Sequence, residues 1–291
     1  MIRIIYRTCG WNNHNNRPDW FHYRKCWENL IETKDDKCSI TVLYDGELQG
    51  HEEYNYHADV IQIDSAAKLP ELYKKWELSS DTYIDHDEQG REIHKRVEAP
   101  DREKAAGYLM YELIRDNISD WNDEDIIYLV EDDYMHMPGW TTVLQNVYDM
   151  YDSINYVSLY DHPDKYTPRY QGLHSQIIVS NYCHWRTVPS SCGTFAGRVK
   201  TFKEDLDIHI GSLGDHNKFT LLAERNRNIV SAMPAFATHC VNPWTSPFRD
   251  WTNVCYLLLL ENNLIQTDLM SIYLQLIQPI NLQTMVMPYS F

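Results

Sequence analysis

The run IIYLV at residues 126–130 passes without a break into three consecutive carboxylates, Glu131, Asp132 and Asp133, and then into YMHMPGW (134–140). So apolar and β-branched a stretch reads as a strand. Three adjacent like charges at the strand's end repel one another and resist desolvation, so something must compensate them. When the site is also a cleft, a bound cation is the commonest compensation. The rest of the chain must therefore supply a cleft at the end of this strand.

Periodicity elsewhere supplies the frame. Residues 2–8 (IRIIYRT), 39–46 (SITVLYDG) and 58–65 (ADVIQIDS) alternate as strands, and Trp20 to Ile31, opened by Pro18 and Asp19, has helical spacing. Pro100 and Asp101 start a helix with Ala105, Leu109, Leu113 and Ile114 on one face, whereas 79–98 is polar and aperiodic and reads as a mobile loop. Helices follow at 140–151 and from His216 to about Arg225, with strands at 154–160 and 175–181 and an extended segment at 229–239. The stretch SSCGTFAG (190–197) reads as irregular and partly extended. This order is that of an open α/β sheet, in which ligands sit beyond the carboxyl ends of the strands. Three of those ends carry acids: Asp45, Asp64 and the Glu131–Asp133 cluster.

Composition narrows the class. With 291 residues, 43% of them hydrophobic and 13% aromatic, the chain forms one large core rather than a disordered or low-complexity segment. A formal charge of −16 disfavours nucleic acid and anionic membranes as partners. The opening MIRIIYRT is too short for a signal peptide, and no run reaches the ~18 apolar residues of a membrane span. Seven scattered cysteines without a C-x-x-C pair read as reduced thiols, which points to a cytoplasmic location.

The apolar strand, E-D-D, and P-G-W opening a helix resemble the nucleotide-sugar site of metal-dependent glycosyltransferases of the GT-A fold, whose D-x-D motif has an E-D-D variant in family 2-like and N-acetylglucosaminyltransferase-like enzymes. That resemblance implies a Rossmann-like mixed central sheet flanked by helices over residues 1–245, with a nucleotide-sugar-binding half (1–133) and an acceptor half (134–245). Residues 246–291 then form a C-terminal helical extension, with Trp251 to Leu274 helical. It implies Mn²⁺ or Mg²⁺ as cofactor, held by Asp133 and by His239 at the end of IVSAMPAFATH. Arg7, Asp45, Glu131 and Asp132 contact the UDP- or GDP-sugar donor. Asp215, in GDHNKFTLL, is the general base of an inverting transfer to a carbohydrate or other hydroxyl-bearing acceptor, with His216 as its competitor; the family often has Glu-Asp where this chain has Gly214-Asp215. Tyr160, Trp185, Trp244 and Trp251 are candidates for stacking on acceptor sugar rings. Cys192 has no His and acid arrangement that would make it a nucleophile.

A rival pattern runs through the second half. His162-Pro-Asp164, His239 and Arg249 match the H-x-D…H…R spacing of iron and 2-oxoglutarate oxygenases, with two His and one Asp as iron ligands and the Arg on the 2-oxoglutarate carboxylate. That reading requires a double-stranded β-helix of many short strands, and the helices expected at 101–116, 140–151 and 216–225 oppose it.

Overall fold

The structure, a computed structural model, describes residues 1–9, 16–48, 52–76, 82–87, 89–96, 100–212 and 214–254. The chain divides into two units, Met1–Arg249 and Asp250–Phe291. The expected helical extension at 246–291 lies outside the described residues beyond Val254.

The first unit opens with β1 (Ile2–Cys9), α1 (Tyr23–Thr33), β2 (Ser39–Asp45), β3 (Asp59–Ile63) and α2 (Ser65–Trp76). Next come β4 (Thr82–His86), β5 (Glu92–Arg96), α3 (Arg102–Asn117), β6 (Ile126–Glu131), β7 (Tyr134–His136) and α4 (Trp140–Met150). The rest is β8 (Tyr156–Ser158), β9 (Ile177–Val179), β10 (His184–Thr187), β11 (Phe195–Arg198), α5 (Val199–Gly211), α6 (Asp215–Glu224), β12 (Ile229–Met233) and β13 (Ala237–His239).

Nine strands form one mixed sheet in the order β3-β2-β1-β6-β11-β8-β12-β10-β9. The first four are mutually parallel, β11 runs against both β6 and β8, and β12 is parallel to β8. This is the mixed α/β architecture that the strand and helix order implies. It excludes the double-stranded β-helix required by the oxygenase reading.

Pleating assigns each face. Ile5, Ile127 and Leu129 point into a core shared with Met110, Tyr111 and Ile114 of α3, Phe202 of α5 and Phe219 and Leu222 of α6. Tyr6 and Tyr128 point to the other face, where Tyr6 packs on Trp27 of α1 and Tyr128 on Trp140 of α4. Each wholly buried side chain such as Ile127 or Leu129 adds about 1.5–3 kcal/mol relative to exposure.

Three segments depart from the sequence reading. The expected mobile loop at 79–98 contains an antiparallel hairpin of β4 and β5. Its turn is set locally: the Asp87 carboxylate accepts from the backbone N–H groups of Gln89 and Arg91, and Gly90 takes φ +78°, where a side chain is strained. The stretch read as irregular at 190–197 ends in β11, which sits in the middle of the sheet. All four of its residues are buried, so it shows no alternation. Residues 199–211 form α5, whose buried face includes Asp205 and His209 and so lacks a plain apolar stripe. Among the described residues no helix is long and apolar enough to cross a membrane.

Candidate functional site

Strand order reverses between β1 and β6, and in open α/β sheets that switch point opens a crevice beyond the strand ends. Arg7 of β1 stands opposite Glu131 of β6 in the register. Both lie on the α3 face, and the Arg7 guanidinium donates to the Glu131 carboxylate and, at 2.9 Å, to the Glu103 carbonyl in the first turn of α3. Burial raises the Glu131 pKa, and Arg7 opposes that rise.

The three acids do not form one cluster. Asp132 turns back over β1, where Thr8 Oγ1 donates to its Oδ2 at 2.7 Å. Burial first, and the neighbouring Asp133 second, push the Asp132 carboxyl well above the usual carboxylate range. Asp133 faces the α1 side, where Arg17 Nη1 donates to Oδ2 at 2.8 Å and His239 Nε2 lies 2.9 Å from the same oxygen. Burial works to raise the Asp133 pKa, but His239 and Arg17 outweigh it and hold the acid ionised.

His239 reaches this point through a small ribbon. β13 pairs antiparallel with β7 so that His239 opposes Tyr134, and their rings stack 5.0 Å apart at an interplanar angle of 5°. The Cys240 N–H donates to the Asp133 carbonyl at 2.8 Å, which locks the two segments together. Asp133 Oδ1, in contrast, is buried and has no hydrogen-bond partner among the described residues.

That orphaned oxygen beside an imidazole nitrogen fits a hard divalent cation, which takes carboxylate oxygen and, for Mn²⁺, imidazole. Among the described residues no group of three His, Cys, Asp or Glu side chains converges on one point. A cation held here by Asp133 and His239 would need further ligands from outside these side chains.

On the opposite face a cleft of about 310 Å³ opens between α3 and the start of α6. Arg7, Glu131 and Asp215 line it together, and Asp133 and His239 do not. Asp215 is the first residue of α6, and Lys218 Nζ, one turn on, lies 3.1 Å from its Oδ1. Lys218 is buried over the rings of Tyr111 and Phe195. Burial works to lower its pKa, and Tyr111 and Asp215 more than reverse this. His216 follows on the same helix.

Other expected site residues make contacts within the fold. Asp45 is buried and accepts from the backbone N–H (2.9 Å) and hydroxyl (2.5 Å) of Ser65 at the start of α2, with Arg102 at 3.3 Å, so its carboxylate anchors a helix. Trp185 is wholly buried with its indole N–H on Ser180 Oγ at 3.0 Å, and Tyr160 is 2% exposed with its hydroxyl on the Trp244 carbonyl. The acceptor expectation is therefore corrected at both positions: neither ring has a face open to a sugar. Trp244 is half-buried, its ring 5.2 Å from that of His162. Trp251 belongs to the second unit.

The oxygenase ligands do not assemble either. His162 Nδ1 is spent on Asp164, 2.8 Å from its Oδ1 and accepting its backbone N–H, while Lys165 shares that oxygen. His239 faces Asp133, and Arg249 Nε donates to the Ala235 carbonyl at 2.6 Å. Cys192 is a free thiol whose pKa burial raises, the reverse of what a nucleophile needs.

Sequence reasoning missed Arg17, Thr8, Lys218 and Gly193. A Cβ on Gly193 would lie 2.8 Å from Glu131 Oε1, so this glycine lets the backbone press against the carboxylate. Only Lys218 carries a local signal, its i+3 spacing from Asp215.

No protein-family model matches the chain, and no curated protein matches it in sequence. Among solved structures, mouse xyloside xylosyltransferase 1 in its apo form is similar at TM-score 0.41 and 10% identity, covering 77% of this chain and 74% of that one. Residues 1–349 of S. aureus TarS are similar at TM-score 0.42 and 12% identity, covering 81% and 59%. CMP:2-keto-3-deoxy-manno-octonic acid synthetase complexed with CTP is similar at TM-score 0.41 and 9% identity, covering 89% and 99%.

Proposed function

We propose that this chain is a GT-A-like glycosyltransferase that moves a sugar from a UDP- or GDP-sugar to a hydroxyl acceptor, assisted by Mn²⁺ or Mg²⁺ and with inversion. The observation that carries the reading is the 2.9 Å approach of His239 Nε2 to Asp133 Oδ2, between residues 106 positions apart. It places a carboxylate and an imidazole together beyond the switch point, the position where α/β sheets bind nucleotides.

In this reading Asp133 and His239 hold the cation, which when bound neutralises the charge developing on the departing diphosphate. Arg17 keeps Asp133 ionised and fixes the oxygen that faces His239. Arg7 and Glu131 hold each other rigid at the floor of the cleft and present a donor and an acceptor to the substrate. Asp215 takes the proton from the acceptor hydroxyl as that oxygen attacks the anomeric carbon, and Lys218 orients the carboxylate.

The test is calorimetric titration of UDP and GDP, with and without Mn²⁺, into the wild type and into Asp133→Ala and His239→Ala. Metal-dependent binding of one nucleotide, weakened at least about tenfold in both variants, supports the reading. Binding that ignores the metal and both substitutions overturns it.

A further inference from the structure

The cleft between α3 and α6 contains more polar equipment than a general base requires. Ser212 lines the cleft, and its Oγ is buried without a hydrogen-bond partner among the described residues. Tyr111, 4% exposed, also lines it; its hydroxyl lies near the Lys218 ammonium but makes no hydrogen bond of good geometry. Lys218, 5% exposed, uses one of its three protons on Asp215. The N-terminus of α6 has no side-chain cap at Gly214, which also lines the cleft. Unmet buried polar groups cost stability, and a ligand that meets them recovers it.

The charge pattern selects the ligand. Three cationic and four carboxylate side chains line the cleft, so a phosphate or carboxylate entering it would meet Glu131 and Asp215 head-on. A neutral polyol does not suffer this, because each hydroxyl both donates to a carboxylate and accepts from an ammonium or hydroxyl. The volume, about 310 Å³, is at the lower end of small-molecule pockets and suits one ring rather than a whole nucleotide sugar. Two glycines of its lining let the backbone pack closely on the central ion pair: a Cβ on Gly107 would come within 3.0 Å of Arg7 Nη1, and one on Gly193 within 2.8 Å of Glu131 Oε1.

We infer that this cleft binds a single uncharged sugar ring, with Lys218, Tyr111 and Ser212 as its hydroxyl ligands beside Glu131 and Asp215. The inference rests on the glycosyltransferase reading and adds the substrate class: a neutral ring, with uronic acids and sugar phosphates rejected at this face.

Saturation-transfer NMR on the full chain tests it, using glucose, galactose and N-acetylglucosamine as probes against glucuronate and inorganic phosphate. A neutral sugar should bind, and its signal should fall at least about fivefold in Tyr111→Phe and Ser212→Ala, which remove one hydroxyl each, and in Lys218→Met. Should Lys218→Met fail to fold, the two hydroxyl deletions decide. Binding of glucuronate or phosphate in preference, neutral-sugar binding untouched by the hydroxyl deletions, or no neutral-sugar binding at all overturns the inference. Nucleotide titration on the same samples separates the two ideas: nucleotide binding that persists while sugar binding fails overturns this inference alone.

Discussion

Glu131 and Asp133, two residues apart, face opposite sides of the sheet, Glu131 paired with Arg7 under α3 and Asp133 with Arg17 and His239 beside α1. Two of the three carboxylates are in this way matched to cationic partners, while Asp132, which accepts from Thr8, bears burial and the remaining repulsion in its raised pKa. In the proposed reading the metal and phosphate position then lies on one side and the cleft of about 310 Å³ on the other.

Breaking the first pair singly should be costly. The Arg7 and Glu131 side chains are 14% and 19% exposed, so removing either one leaves a poorly solvated charge. Arg7→Met and Glu131→Gln are each expected to destabilise the fold by about 2–4 kcal/mol, and the double variant by less than their sum. Urea unfolding of the four proteins measures the coupling.

Glycine substitutions should separate crowding from propensity. Gly193→Ala pushes a methyl against Glu131 and is expected to lose about 1–3 kcal/mol together with sugar binding. Gly211→Ala, at the end of α5 with open space around its Cβ, is expected to be neutral or to gain up to about 1 kcal/mol. Thermal melts of both variants decide the matter, and equal losses would refute the crowding argument.

The Asp205 carboxylate ties α5 to β8 and to the segment that leads into β12. It is wholly buried, accepts from Tyr156 at 2.9 Å and from Arg227 Nε at 2.8 Å, and has Arg225 at 3.4 Å. Asp205→Ala should cost about 3 kcal/mol while leaving nucleotide binding unchanged. A variant of normal stability with lost nucleotide binding would contradict this division of roles.

Acid should destabilise the protein through His136. This histidine is wholly buried against Tyr128 and Trp140, and burial lowers its pKa to about 3. Below the ordinary imidazole value of about 6.5 the unfolded chain takes up a proton that the folded chain refuses, so stability falls as pH falls from there towards 3. The full effect is on the order of 5 kcal/mol. His136→Phe should show a shallower decline between pH 7 and pH 4.5 in urea unfolding, whatever its stability at pH 7.

Patterns within ten or so residues were enough to fix the local elements. Apolar runs marked β1, β2 and β6, the spacing of Ala105, Leu109, Leu113 and Ile114 marked α3, and Asp101 marked its start, where it caps the Lys104 N–H at 2.8 Å. The acids at the strand ends were legible for the same reason. β11 and α5 were not, because their environment is set by tertiary burial: β11 is covered on both faces, and α5 turns Asp205 and His209 inward to partners from Tyr156 and Arg227.

Only the assembled fold decided which acid meets which base. Glu131 is the last residue of β6 and Asp133 lies in the turn that follows, so the same-face rule for residues two apart on a strand does not hold them together; nothing local says that Arg17, 116 residues away, will lie on one and Arg7, 124 residues away, on the other. Likewise Trp185 and Asp45 have residue types suited to a ligand, and tertiary packing consumed both. The sequence thus determined the elements and the chemistry at their ends, since those depend on neighbours along the chain. Tertiary structure decided the partners, since a buried charge goes to whichever group the sheet order brings within about 3 Å.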